Sequence, residues 1–168
     1  MSDLHDARVR CTVNGEGWQG RVDVRASLLD LLRDELRLRG TKRGCEAMTC
    51  GVCTVIVDGA PISACGMFAV DADGTDIRTV EGLGAPDSPD PLQHAFAERV
   101  AAQCGYCTSG QLMSATALIE SHETLTRADI VEWMQTNLCR CGGYLAIVEA
   151  IRDAHAATRG RTPGREQP

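Results

Sequence analysis

Aromatic side chains are nearly absent from this sequence: two Trp, two Tyr and two Phe make up 4% of its 168 residues. Any core must come from Leu, Val, Ile, Ala and Met, and a hydrophobic share of 43% suffices for one ordinary domain or two small ones. Domains with thin cores lean on metals or cross-links for stability. Positive charge is also in short supply. Seventeen Lys and Arg face 23 Asp and Glu, a net charge of -6, which excludes the basic face that nucleic acid or an anionic membrane would need. No apolar run approaches the roughly 18–20 residues of a membrane helix. The opening residues MSDLHDARVR carry neither the apolar core of a secretory leader nor a twin-arginine pair, so a cytoplasmic protein is expected.

Cysteine, by contrast, is abundant. Nine occur, at Cys11, Cys45, Cys50, Cys53, Cys65, Cys104, Cys107, Cys139 and Cys141. With no export signal, the compartment keeps thiols reduced, and metal binding is favoured over disulfides before any spacing is considered.

The hydrophobic pattern predicts two halves. Residues 8–13 and 21–25 alternate as strands around the turn dipeptide Asn14-Gly15. Ser27 opens a helix carrying Leu28, Leu29, Leu31, Leu32 and Leu36, closed by Gly40. Short strands are expected at 54–59, 62–65 and 75–80, giving an α+β, β-grasp ferredoxin-like domain over residues 1–83. A linker rich in Pro, Gly and Asp follows at 84–90. Four helices over 91–157 suggest a four-helix bundle. Their starts are marked by Asp90-Pro91, by Thr108 with Gln111, and by Thr126 with Asp129. Residues 158–168 read as a mobile tail. Cys11, alone in the first strand, reads as a small buried hydrophobe.

Cys45, Cys50 and Cys53, with Cys65 eleven residues beyond, give the Cys-x4-Cys-x2-Cys and distant fourth cysteine of plant-type 2Fe–2S ferredoxins. Two sulfide-bridged irons need two thiolates each from several directions, and a tight loop plus a strand supplies them. Structural zinc prefers two close pairs, so it fits this set poorly. The second set, Cys104-x2-Cys107 and Cys139-x-Cys141, does consist of two close pairs, and spacing alone leaves iron–sulfur and zinc both open. Helix ends beside these pairs suit a thiolate-bound cluster.

Together, GTKRGCEAMTCGVCTV (40–55), QCGYCTSGQLMSA (103–115) and NLCRCGGY (137–144) resemble the small subunit of the molybdenum hydroxylase and xanthine dehydrogenase family, from about Val9 to Ile151. Two departures occur: Ala47-Met48-Thr49 stands where the family has a Gly, and Ser109 where it often has Pro. The resemblance implies an electron-transfer subunit with two 2Fe–2S clusters and no substrate-transforming site of its own. A large partner subunit would hold molybdopterin, as its cytosine dinucleotide, and a medium subunit would hold FAD. Electrons would pass from molybdenum to the cluster on Cys104, Cys107, Cys139 and Cys141, then to that on Cys45, Cys50, Cys53 and Cys65, and on to FAD or another acceptor. Gln103 and Cys141 match positions that approach the pterin. A free-standing ferredoxin-like carrier is the alternative, and the helical second half, which a lone carrier does not need, argues against it. A zinc-stabilised interaction module is a third reading. His5, His94, His122 and His155 are scattered, without ligand spacing, and read as surface or helix-face residues.

Overall fold

Strand β1 (Asp6–Val13) and strand β2 (Glu16–Asp23) form an antiparallel hairpin in which Val13 faces Glu16. The turn between them uses positive φ at both Asn14 (52°) and Gly15 (82°), the backbone that matches strand twist in a two-residue hairpin. The ladder extends further than the alternating residues alone suggested. The computed structural model describes residues 5–85 and 87–159. Val9, Cys11 and Val13 point inward from β1 at 7% exposure or less, so Cys11 is the buried hydrophobe expected. Burial, with Asp73 nearby, pushes its thiol pKa up.

Ser27 caps helix α1 (Leu28–Asp30) through a reciprocal capping box with Asp30. The regular helix expected as far as Gly40 does not form. After Asp30 the chain widens into a π-turn over Leu31–Glu35, with Leu36 N–H donating to Leu31 O at 3.0 Å and Leu38 N–H to Leu32 O at 2.8 Å. Arg37 then takes a φ of 61°. The wider turn carries Leu36 and Leu38 back against the core that holds Leu28, Leu29, Leu31 and Leu32.

Strands β3 (Thr54–Val57), β4 (Ala60–Ser63) and β5 (Asp76–Arg78) complete a five-stranded sheet of order β2-β1-β5-β3-β4. Only the β1–β5 pairing is parallel. The expected strand at 62–65 ends early: Ala64–Gly66 is a 3₁₀ turn, which lifts Cys65 off the sheet.

Four helices follow. Asp90 caps α2 (Pro91–Glu98), and Thr126 with Asp129 caps α4 (Arg127–Met134), both as expected. Helix α3 (Thr108–Ser121) starts differently. Its N-cap is Cys107, and the Thr108–Gln111 box is absent because Gln111 turns inward, 1% exposed, and donates to Asn137 O at 3.1 Å. The third helix stops at Met134, so Cys139 lies in a loop rather than at the helix end. Helix α5 (Tyr144–Thr158) closes the described chain, while residues 160–168, most of the expected tail, lie outside the described residues, as does residue 86 of the expected linker. Among the described residues no helix is long and apolar enough to cross a membrane.

One apolar cluster lies under the sheet and another among the helices. Ile56 of β3 with Met113 and Ala117 of α3 forms a third between them. A paired Arg78–Glu120 ion pair (2.8 and 2.5 Å) adds a second tie from β5 to α3.

Candidate metal centres

Residues 44–49 run exposed over the surface, with positive φ at Glu46 (51°) and Met48 (56°). Alternation of hand along a loop turns successive N–H groups to one side, making an anion-binding concavity. Its centre here is the Cys45 sulfur, which accepts from Ala47 N–H and Thr49 N–H, each at 3.4 Å. The Thr49 side chain, those N–H groups and Cys50 bring the Cys45 pKa down to about 6. Cys45 N–H in turn points at the Cys50 sulfur, 3.5 Å away. Arg43 anchors the loop, bound to Asp30 (2.6 Å), Asp34 (2.8 Å) and Glu46 (3.5 Å). Cys53, 2% exposed at the head of β3, has its pKa pushed up to about 11 by burial, and its thiol meets that of Cys65. The set is thus an outer pair, Cys45 with Cys50, and an inner pair, Cys53 with Cys65.

The second set repeats this plan with different elements. Cys104 and Cys141, both exposed, meet each other. Cys107 and the buried Cys139 meet behind them. Tyr106 N–H and Cys141 lower Cys104, and burial pushes Cys107 up to about 11. At Cys139 burial works upward, but Gly143 N–H, 3.4 Å from the sulfur, and Cys107 outweigh it and the pKa falls. Gly105 (φ 78°) and Gly142 (φ 75°) make the turns that bring the pairs together.

The two sets are tied by the backbone beside their cysteines. Leu138 N–H donates to Cys50 O at 2.9 Å, one residue before Cys139. Asn137, 3% exposed, donates through Nδ2 to Gly51 O at 2.9 Å and lies 3.4 Å from Thr54 Oγ1. Tyr106 hydroxyl donates to Arg43 O. Gly51 holds a φ of 67°, and a Cβ there would lie 2.5 Å from Thr136 O and 2.6 Å from Asn137 Nδ2. Spacing singled out all eight cysteines but not Asn137 or Tyr106, whose only sequence signal was a polar residue near a cysteine pair, while Gln111 read as the capping partner of Thr108.

Thiols meeting two by two are what a pair of irons requires, two thiolates to each. The residues therefore fit a 2Fe–2S group. Gln103 is exposed on the loop before Cys104 and makes no hydrogen bond with the described residues. No histidine joins either set. His94 faces Glu98, and His122 stands edge-on to Trp133. His155 is 8% exposed in α5, a core position rather than a surface one.

Two family models match the chain: a 2Fe–2S iron–sulfur cluster binding domain over residues 11–78, and a 2Fe–2S binding domain over residues 79–152. The chain is 47% identical over 142 residues to the nicotine 6-hydroxylase small subunit of Paenarthrobacter nicotinovorans, covering 84% of this chain and 86% of that protein. It is 46% identical over 157 residues to the aldehyde oxidoreductase iron-sulfur-binding subunit PaoA of Escherichia coli, covering 84% and 69%. Among solved structures, quinoline 2-oxidoreductase of Pseudomonas putida 86 superposes with a TM-score of 0.87 at 42% identity, over 94% of this chain and 99% of that one. Aldehyde oxidoreductase of Desulfovibrio gigas does so with 0.89 at 41%, over 94% of this chain and 18% of that one.

Proposed function

This chain belongs to the small iron–sulfur subunits of the molybdenum hydroxylase and xanthine dehydrogenase family, and we infer from that premise how its residues serve electron transfer within an oxidoreductase complex. Cys45, Cys50, Cys53 and Cys65 hold one 2Fe–2S cluster; Cys104, Cys107, Cys139 and Cys141 hold the other. The observation that carries this assignment is the meeting of the thiols in an outer and an inner pair at each site. Such a cluster, when bound, takes up and returns one electron at a time.

The chain's own residues set the conditions for that chemistry. Ala47, Thr49 and Gly143 N–H groups aimed at sulfur stabilise thiolate charge and tune it. Cys53 and Cys139 keep the inner side of each site dry. The Leu138–Cys50 hydrogen bond holds the two sites in fixed register.

Five exposed apolar residues, Val100, Tyr106, Leu138, Tyr144 and Leu145, lie within four positions in sequence of a cysteine of the second set. Exposed apolar surface on this scale marks a protein interface. It supports a large molybdopterin-binding subunit on this side, with Gln103 and Cys141 facing the pterin. A medium FAD-binding subunit fits the opposite, Cys45 side. In this reading the chain divides into a ferredoxin-like β-grasp domain at 1–83, a linker at 84–90, a four-helix bundle at 91–157 and a tail at 158–168, and works in the cytoplasm.

Anaerobically isolated protein will contain about four irons and four acid-labile sulfides per chain and give two paramagnetic signals on reduction. Cys50→Ser will abolish one signal and Cys107→Ser the other. A folded variant that loses both signals from either change, or a stable chain with zinc and no iron, overturns the assignment. Gln103→Ala will slow reduction of the iron centres by substrate in the complex while leaving their reduction by dithionite unchanged, and equal slowing of both refutes the pterin-facing role.

A further inference from the structure

Met48 is an unusual residue for its position. Its φ of 56° is left-handed, a conformation that costs an L side chain about 1–2 kcal/mol and glycine nothing. Strain of this kind persists where surrounding contacts over-determine it. The compensating contact is on the far side of the first cysteine set. A Cβ built on Gly66 would fall on the Met48 Sδ and Cγ. The φ of Gly66 is not left-handed, so glycine is present there for the space it leaves rather than for backbone freedom. The Met48 thioether fills that space.

Gly66 follows Cys65, and the next residue, Met67, accepts from Leu28 N–H at 2.7 Å, at the start of the most deeply buried helix of this half. The turn bearing Cys65 is therefore fixed to the core, while the loop bearing Cys45 and Cys50 lies at the surface. Met48 crosses from one to the other, its Cγ, Sδ and Cε all within 3.4 Å of where a Gly66 Cβ would stand, while its outer surface leaves the residue 64% exposed. An unbranched, polarisable thioether suits an irregular gap of this kind.

We propose that Met48 is a positioning residue, an apolar clip that holds the exposed cysteine loop against the Cys65 turn and keeps water from the first metal site. This rests on the assignment of Cys45, Cys50, Cys53 and Cys65 as cluster ligands. The clip acts on the rate at which the cluster is lost and on its potential, because water that reaches a reduced, more negatively charged cluster favours reduction.

The test uses the full chain carrying both clusters, with four variants: Met48→Gly, Met48→Leu, Gly66→Ala, and Met48→Gly with Gly66→Ala. Iron loss to a chelator and a potentiometric titration followed by paramagnetic resonance are read for each site, the second site serving as internal reference. Met48→Gly relieves the backbone, so it folds and binds the full iron complement. It will nevertheless lose the first cluster several-fold faster and shift that site's midpoint upward. Met48→Leu will stay near the parent. Gly66→Ala will behave like Met48→Gly, since its methyl group evicts the thioether, and will add nothing once Met48 is glycine. Equal loss rates for Met48→Gly and the parent, or a Gly66→Ala effect undiminished in the double variant, overturn the clip. A parent chain lacking the first cluster instead overturns the ligand assignment, so the two failures are told apart by iron content alone.

Discussion

Asn137→Ala tests whether the two metal sites are held together by polar contacts or only by apolar packing. The Asn137 amide is 3% exposed and its Nδ2 donates to Gly51 O, between Cys50 and Cys53. Gly51 O keeps Thr54 N–H and Thr54 Oγ1 as donors at 3.2 and 2.7 Å, so alanine strands no buried carbonyl. The loss is then the short bond to Gly51 O with the weaker ones to Thr54 Oγ1 (3.4 Å) and from Thr136 Oγ1 (3.0 Å), which keeps Trp133 O. Together these come to about 1 kcal/mol net, plus a void of a few atoms, about another 1 kcal/mol. For a chain of this size about 2 kcal/mol lowers the melting temperature by roughly 4–8 °C. Asn137→Asp has nearly the same shape but replaces the donor with an acceptor facing Gly51 O. It will cost more than alanine at neutral pH, because Thr136 Oγ1 serves only one carboxylate oxygen and the other, buried and charged, faces Gly51 O with no donor, which is worse than a small void. Thermal unfolding of the cluster-loaded chain, followed by circular dichroism and by visible absorption, measures both. The reasoning is refuted if alanine lies within about 0.5 kcal/mol of the parent, or if Asp is tolerated better than Ala.

Gly51→Ala combines left-handed φ with collision against Thr136 O and Asn137 Nδ2. It should cost about 3 kcal/mol or more and lower the iron content of both sites, which metal analysis will show. Asp30 supplies a pH test. Burial alone would raise its pKa, but hydrogen bonds from Ser27 and Arg43 outweigh it and hold the carboxyl below the ordinary range. A depressed carboxylate contributes stability that is complete above the unfolded pKa of about 3.9 and disappears as pH falls through the lower folded value. Solvent limits this contribution to no more than about 1 kcal/mol. Denaturant midpoints measured at decreasing pH should fall less steeply for Asp30→Asn than for the parent, and parallel curves would show that Asp30 contributes nothing.

Much of this protein is local chemistry, and local chemistry is written along the chain. The hairpin at Asn14-Gly15, the caps at Ser27, Asp90 and Thr126, and strands β3 and β5 all depend on residues within a few positions of one another. Cysteine spacing belongs to the same class, since a loop of fixed length limits which thiols can meet. That is why the first set pointed to iron–sulfur from spacing alone. The second set, drawn from segments 31 residues apart, needed the family resemblance.

Tertiary packing decided the rest. Helix α1 had every local signal for continuing to Gly40, yet burial of Leu36 and Leu38 against the sheet widened it into a π-turn. Gln111 had the spacing of a capping box, but the junction with Asn137 O turned it inward and left Cys107 as the cap. The pairing of Cys53 with Cys65 and of Cys107 with Cys139, the Leu138–Cys50 hydrogen bond and the Met48–Gly66 fit join residues that no periodicity connects. A residue's type and its neighbours in sequence set which contacts it is able to make. Which one it makes depends on what the folded chain brings beside it, and here that is one cysteine-bearing loop set against another.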